Sequence, residues 1–359
     1  MKKRSVSYAL FLVALFLAGS LLLKRHKHPG PLTNENASEG SQAGVVLASP
    51  GEGLWEPVTG LGPVGNLLAL RFSPDGNDGV ALGSHGELVV TRDGGETWET
   101  RRGVTLGELV VATCLTMPRS GAVVFGTAVD EDWPAGTIYE LSLADGGQRK
   151  IWQGEFGGLL TASADGRYWA GENCFVLRSE GGRFIPMRLP SCDGEVIYDI
   201  ESMDNRVLAV GMNGLAAVSR DAGNTWQASR LKLSPALGTE PLEIHRVSVG
   251  GQLALAGGNY GGLWRSEDAG RTWTPVRGLG RSMNVWALYL EPSTRAGFVG
   301  GGDSNGAAPF ILATNDGGRT LESEPVRGAR GRIMAIGRGR AGIFAVTFDG
   351  RVLVRRDAF

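Results

Sequence analysis

The sequence predicts an all-β fold, a β-propeller of seven blades, with six or eight blades as the alternatives. Two observations lead to this prediction. The pattern [ST]-x-D-x-G-x-T-W occurs three times in full and once with Leu321 in place of Trp. Short runs of aliphatic and aromatic residues, separated by Gly and Asp-Gly turns, give roughly four strands per 45 residues, which is the period of a propeller blade.

The spacing of the repeated pattern sets the blade count. The four copies occupy residues 91–98, 219–226, 266–273 and 314–321. The long interval between the first and second copies leaves room for two degenerate copies, and a last copy is cut short near the C-terminal residue. The seven expected positions are Asp93, Asp145, Glu180, Asp221, Asp268, Asp316 and Asp357.

The N-terminal part of the body is expected to close the ring. Residues 54–62 (LWEPVTGLG) repeat residues 272–280 (TWTPVRGLG) almost position for position. The last copy lacks the strand that follows the motif elsewhere. We therefore expect residues 54–62 to supply the outer strand of the last blade, which covers an otherwise open sheet edge.

The repeated residues are predicted to be structural. The Asp carboxylate suits a turn in which it accepts hydrogen bonds from backbone amides and from the Ser or Thr hydroxyl. Gly allows positive φ, and Trp fills the space between blades. The residues concerned are Asp93, Gly95, Trp98, Asp221, Gly223, Trp226, Asp268, Gly270, Trp273, Asp316 and Gly318.

Composition and charge argue against several function classes. Six of the 36 basic residues and none of the 37 acidic residues lie in residues 1–30, which leaves 30 basic against 37 acidic residues, or −7, in the rest. Such a body is a poor nucleic-acid binder, because that binding depends on neutralising phosphates. The sequence has no zinc-ligand spacing and no phosphate-binding GxxxxGK[ST] loop, so neither a metal nor a cofactor is predicted.

The N-terminal residues resemble an export signal. A basic start is followed by an uncharged run over residues 5–23 and then by a second basic cluster. We predict a signal anchor or signal peptide over 1–28, a flexible linker over 29–53 and the propeller over 54–359. The propeller is then expected in the periplasm or lumen, anchored to the inner membrane, or secreted to the periplasm after cleavage.

The first strand of each blade lines the central channel, and the residues at its start are expected to form the channel mouth. Aligned inner strands give a candidate contact face for a protein or peptide, made of Asn66, Tyr198, Glu243, His245, Asn284, Trp286 and Arg332. The alternative is that the aromatic residues only fill the channel wall. Cys174 and Cys192 could form a disulfide in an exported protein, whereas Cys114 is predicted to be a buried apolar residue.

The repeated pattern is the Asp box, or bacterial neuraminidase repeat. With the WxPV opening at residues 55–58 and the export segment, the chain resembles the photosystem II stability/assembly factor family. That resemblance implies a non-enzymatic scaffold that binds an integral-membrane protein complex in the lumen or periplasm. The alternative is a glycan-binding or glycoside-hydrolysing Asp-box propeller, since hydrolysis needs two carboxylates facing one cleft and the chain is rich in acids.

Overall fold

The computed structural model describes residues 54–62, 64–101, 110–129, 136–154, 160–190, 192–238 and 240–355. These residues form seven four-stranded antiparallel sheets, so the prediction of seven blades is confirmed. The predicted N-terminal segment, the linker and the Asp357 copy lie outside the described ranges. Within those ranges, no helix has the length and apolar character needed to cross a bilayer.

We number the strands in chain order and the blades 1 to 7. Strand β1 (Trp55–Pro57) precedes blade 1. Blade 1 contains β2 (Leu67–Phe72), β3 (Gly79–Gly83), β4 (Leu88–Thr91) and β5 (Glu99–Arg101). Blade 2 contains β6 (Val110–Arg119), β7 (Ala122–Val129), β8 (Gly136–Ser142) and β9 (Gln148–Gly154). Blade 3 contains β10 (Leu160–Ala162), β11 (Tyr168–Gly171), β12 (Phe175–Glu180) and β13 (Arg183–Arg188).

The remaining blades follow the same order. Blade 4 contains β14 (Ile197–Met203), β15 (Arg206–Gly211), β16 (Leu215–Ser219) and β17 (Gln227–Arg230). Blade 5 contains β18 (Ile244–Gly250), β19 (Leu253–Gly258), β20 (Leu263–Ser266) and β21 (Thr274–Pro275). Blade 6 contains β22 (Met283–Leu290), β23 (Gly297–Asp303), β24 (Pro309–Thr314) and β25 (Glu322–Glu324). Blade 7 contains β26 (Ile333–Gly339), β27 (Gly342–Thr347) and β28 (Val352–Arg355), together with β1.

Three short 3-10 helices interrupt the strands, at Glu172–Cys174, Met212–Gly214 and Pro235–Leu237. The first two connect the second and third strands of blades 3 and 4. The third lies in the connection between blades 4 and 5. Hydrophobic cores fill the spaces between adjacent blades; Val90 of blade 1 and Phe125 of blade 2, for example, share one core and are both fully buried.

The ring closes as the sequence predicts. Strand β1 pairs antiparallel with β28, and Trp55 lies opposite Arg355. The Trp55 side chain is fully buried, and its indole N–H donates a 2.7 Å hydrogen bond to Glu324 of blade 6. The closing strand therefore joins the two ends of the propeller and also packs on a neighbouring blade.

A β-bulge recurs near the start of the inner strand in six blades. In each case the strand pairing skips one residue that follows a fully buried aliphatic residue or alanine. A bulge re-aims the side chain of the unpaired residue. The skipped residues are Leu68, Thr113, Tyr198, His245, Trp286 and Met334.

Candidate partner-binding site

Five of the predicted mouth residues contact one another. The His245 ring stacks on Trp286 at 4.0 Å between centroids and 9° between planes, and Tyr198 meets His245 edge-on at 6.0 Å. The Arg332 guanidinium carbon lies 4.6 Å from the centroid of the Trp286 ring. With Glu243, which contacts both Tyr198 and His245, these residues form a continuous chain of contacts across blades 4 to 7, here called the mouth arc.

Most of the mouth arc is buried, and Glu243 is its accessible member. Tyr198 and His245 are each 3% exposed, whereas the Glu243 side chain is 34% exposed. The Glu243 carboxylate accepts a 3.4 Å hydrogen bond from the Tyr198 hydroxyl and lies 3.6 Å from His245 Nε2. Burial raises the pKa of Glu243. His245 and the Tyr198 hydroxyl together lower this pKa by more than burial raises it, so the pKa of Glu243 lies below its ordinary value.

Arg332 supplies the positive end of the mouth arc. Its guanidinium lies between the rings of Trp286 and Phe348, at 4.6 and 4.5 Å from their centroids. Its Nε contacts the Met334 sulfur at 3.3 Å. Burial lowers the pKa of Arg332 to about 10, so the side chain stays protonated at neutral pH. The mouth arc thus carries a carboxylate on blade 5 and a guanidinium on blade 7.

The two predicted asparagines have other positions. The Asn284 side chain accepts a 3.0 Å hydrogen bond from the backbone N–H of Tyr260, which holds a turn of blade 5 against blade 6. Asn66 is half-buried in blade 1, and none of the contacts that join the mouth arc involves it. Asn284 therefore holds a neighbouring turn, and the place of Asn66 in the contact face stays a prediction.

A charged cluster that the sequence does not predict lies deeper in the channel. Arg71 of blade 1 reaches Glu201 of blade 4 at 3.4 Å, which links two blades that are not neighbours. Asp199 and Arg246 of the adjacent inner strands complete the cluster. The only signal in the sequence is that ionisable residues stand at alternate positions of a channel strand.

Backbone hydrogen bonds hold the acids of this cluster. Asp199 accepts from the Val247 N–H at 2.9 Å, and Glu201 accepts from the Ala164 N–H at 3.1 Å. Burial raises the pKa of Glu201 to about 7, because it outweighs the attraction of Arg71. Burial also raises the pKa of Asp199 above its ordinary value. The two acids are therefore built into the channel wall.

The Asp boxes form turns at the outer rim, between the third and fourth strands of their blades. Asp93 accepts hydrogen bonds from the Thr97 N–H at 2.9 Å and from the Thr91 hydroxyl at 2.8 Å. Burial raises the pKa of Asp93, but these hydrogen bonds outweigh it and bring the pKa to about 2. The Trp98 ring packs against Phe344 of the preceding blade at 5.4 Å. Gly95 has a φ of 103°, which favours glycine.

The other three boxes repeat this arrangement. Asp221, Asp268 and Asp316 each accept from the Ser or Thr two residues before and the Thr four residues after. Their glycines also have positive φ, and these are Gly223, Gly270 and Gly318. Trp226 and Trp273 pack in the cores that their blades share with the preceding blade. All four boxes thus act as turns and wedges, away from the channel.

The cysteines have structural positions. Cys174 and Cys192 are bonded, with their Cα atoms 5.6 Å apart, and connect the 3-10 turn of blade 3 to the segment leading into blade 4. Cys114 is a buried free thiol, and burial raises its pKa to about 12. Over the described ranges, no group of three or more His, Cys, Asp or Glu side chains is arranged to hold a metal ion.

Comparison with known proteins identifies the fold. No family model and no curated protein matches the sequence. A solved structure of YCF48 bound to D1 peptide matches 90% of this chain and 100% of its own, at 16% identity and a TM-score of 0.62. YCF48 from Cyanidioschyzon merolae matches 84% of this chain and 98% of its own, at 15% identity and a TM-score of 0.60. U3-55K matches 84% of this chain and 98% of its own, at 10% identity and a TM-score of 0.60. The chain is therefore a seven-bladed propeller similar in fold to YCF48 and also to U3-55K.

Proposed function

We propose that this protein is a non-enzymatic, exported scaffold whose channel mouth binds a protein partner and assists the assembly or stability of an integral-membrane protein complex. Residues 5–23 would anchor it to the inner membrane, with the propeller in the periplasm or lumen. The observation that carries the proposal is the mouth arc. Four blades contribute to it, and it carries the partly exposed Glu243 carboxylate at blade 5 and the buried, cationic Arg332 at blade 7, joined by the stacked rings of His245 and Trp286.

The physical argument concerns preorganisation. The His245 and Trp286 rings are stacked and buried, and they contact Glu243 and Arg332. These two charged side chains therefore lose little conformational freedom when a partner binds. Charged groups fixed in this way select a partner of complementary charge pattern. The fold comparison supports this choice, because one of the similar propellers has been solved with a bound peptide.

The glycan alternative depends on the acids of the channel. Hydrolysis of a glycoside requires two carboxylates that face a cleft open to the sugar. Asp199 is 4% exposed and accepts hydrogen bonds from Val247 and Thr161, while Glu201 pairs with Arg71. These engaged acids favour a structural role over a catalytic one. We therefore keep the scaffold as the proposed function.

The proposal is tested by affinity purification of the tagged full-length protein from crosslinked native membranes, followed by mass spectrometry. The informative variant is Glu243→Lys, and the matched control is Glu322→Lys on the exposed rim of blade 6. We expect one integral-membrane complex with the native protein and the control, and about a tenfold loss with Glu243→Lys. Glu243→Gln, which keeps the shape of the side chain, should lose less.

Two results would overturn the scaffold. One is that no membrane protein is enriched with the native chain. The other is that Glu243→Lys and Glu322→Lys retain the same proteins although thermal melting shows both to be folded. Glycan binding by the native chain that Glu243→Gln abolishes would favour the glycan alternative.

A further inference from the structure

A groove of about 840 Å³ lies on the outer rim between blades 2 and 3, away from the mouth arc. Its wall on blade 2 comes from the end of β9, and its wall on blade 3 comes from β12 and β13. Apolar side chains dominate the lining, with one guanidinium at the edge. The residues that matter here are Trp152, Phe175, Leu177, Pro186, Met187 and Arg188.

The groove lies beside a hairpin that lacks the Asp box, at the end of the hairpin away from its turn. In blade 1 the box Trp98 fills the space toward the preceding blade by packing on Phe344. In blade 3 the pairing of β12 with β13 instead extends to Glu180 and Arg183, and the turn between these two residues consists of two glycines with positive φ. Pro186 pairs with Leu177 on this hairpin, and no tryptophan follows the turn. Phe184 takes the place of a box tryptophan by packing on Trp152 at 6.2 Å, and the groove lies farther from the turn, around Phe175, Pro186 and Arg188.

The two outer strands beside the groove are basic although the body of the chain is acidic. Strands β9 and β13 contain Arg149, Lys150, Arg183 and Arg188, all exposed, and no acidic residue. Arg149 is paired with Glu140. In the part of the chain that the structure describes, neither Arg183 nor Arg188 has an ion-pair partner. Arg188 thus borders the apolar groove, Arg183 lies at the opposite end of β13, and both guanidinium groups are available for a carboxylate.

The two strands are also the longest outer strands of the propeller. β9 has 7 residues and β13 has 6, whereas the other outer strands have 2 to 4. An outer strand presents a row of unpaired backbone groups that an extended peptide can contact. Of the large apolar side chains described, only Ile185, in the centre of β13, is exposed, at 37%.

We propose that this groove binds an extended acidic segment of a partner protein. An aromatic or aliphatic side chain of that segment would occupy the space between Trp152 and Pro186, and its carboxylates would pair with Arg188 at the edge of the groove and with Arg183 farther along β13. The concave shape favours a peptide, since a flat bilayer surface cannot enter a groove. The groove is separate from the mouth arc and does not depend on it.

The test uses the full-length protein in detergent micelles and three fluorescent octapeptides. The first is Gly-Glu-Asp-Phe-Glu-Asp-Leu-Gly, the second carries Lys at its four acidic positions, and the third carries Ala at its Phe and Leu positions. We expect anisotropy titrations to show that the first binds about tenfold more tightly than either of the others. Arg183→Glu with Arg188→Glu should weaken its binding about tenfold, and added salt should weaken the binding that remains in the native protein.

The matched control reverses the charge of two exposed arginines elsewhere, in the double variant Arg271→Glu with Arg330→Glu. Its affinity for the first peptide should lie within about twofold of that of the native protein. The proposal is wrong if the control and the test variant weaken binding equally, or if the Lys peptide binds as well as the acidic one. It is also wrong if phosphatidylglycerol vesicles, and not the peptide, protect β9 and β13 from hydrogen exchange. Glu243→Lys should leave peptide affinity unchanged, so failure of the groove is distinguishable from failure of the mouth arc.

Discussion

The closing strand offers a quantitative test of how the ring is held together. The perturbation is Trp55→Ala in β1. Trp55 is fully buried, meets Phe298 edge-on at 5.5 Å and donates its indole N–H to Glu324 at 2.7 Å. Its removal leaves a cavity at the seam between blades 6 and 7. It also removes one hydrogen bond from a buried carboxylate.

The magnitude follows from the buried area. About 200 Å² of apolar surface at about 25 cal/mol per Å² corresponds to about 5 kcal/mol, within the range measured for truncating buried tryptophan. The lost hydrogen bond costs a further ~1 kcal/mol, because Arg355 still donates to both oxygens of Glu324. Trp55→Phe keeps most of the ring and loses the donor, so we expect it to cost about 1–3 kcal/mol.

The assay is equilibrium unfolding in urea, followed by intrinsic fluorescence and by circular dichroism. The control is Trp98→Ala, which removes a partly exposed wedge from a blade whose four strands are consecutive in the chain. We expect Trp55→Ala to lower the free energy of unfolding by clearly more than the control. Equal losses in the two variants would refute the idea that β1 holds the ring closed.

Three further predictions concern the channel, a box and the disulfide. Burial raises the pKa of Glu201 from 4.5 to about 7, so the carboxyl loses its proton at lower pH in the unfolded chain than in the folded protein. The free energy of unfolding should therefore fall as pH rises from about 4.5 to about 7, by up to about 3 kcal/mol. Urea midpoints at several pH values should show this slope, and Glu201→Gln should reduce it. Asp316→Ala removes the acceptor for Thr314 and Thr320, and we expect a loss of about 1–2 kcal/mol in the same unfolding assay, with Asp316→Asn losing less. Cys174→Ser removes the disulfide to Cys192, which lies 18 residues further along the chain. Under non-reducing conditions the free energy of unfolding of this variant should be about 3 kcal/mol lower than that of the native protein. A reductant should lower the stability of the native protein by the same amount.

The blade count and the ring closure follow from the sequence because each rests on a repeated local pattern. An Asp box specifies its own turn: Asp221 bonds to Ser219 and Thr225, all within one hairpin. The match between residues 54–62 and 272–280 identifies the closing strand in the same way. Such features need no knowledge of the other blades, so one sequence is enough to predict them.

The arrangement of the mouth is only partly predictable. The inner-strand alignment brings Tyr198, His245 and Trp286 to the correct end of the channel, but their stacking depends on bulges that the residue pattern does not reveal. The cross-channel pair of Arg71 and Glu201 spans 130 residues. It depends on how blades 1 and 4 face each other across the axis, which only the closed ring determines.

Departures from the repeat are the more informative guide to function in this fold. Residues that recur from blade to blade, such as the four box aspartates, accept hydrogen bonds within their own hairpin. The groove between blades 2 and 3 lies beside the β12–β13 hairpin, which lacks the box, and between β9 and β13, which are longer than the other outer strands. Two members of the charged channel cluster, Asp199 and Arg246, likewise follow the bulge at the position where blades 6 and 7 carry Ala287 and Ala335. The repeated pattern therefore identifies the propeller fold, and the residues that depart from the pattern indicate the surfaces on which we expect partners to bind.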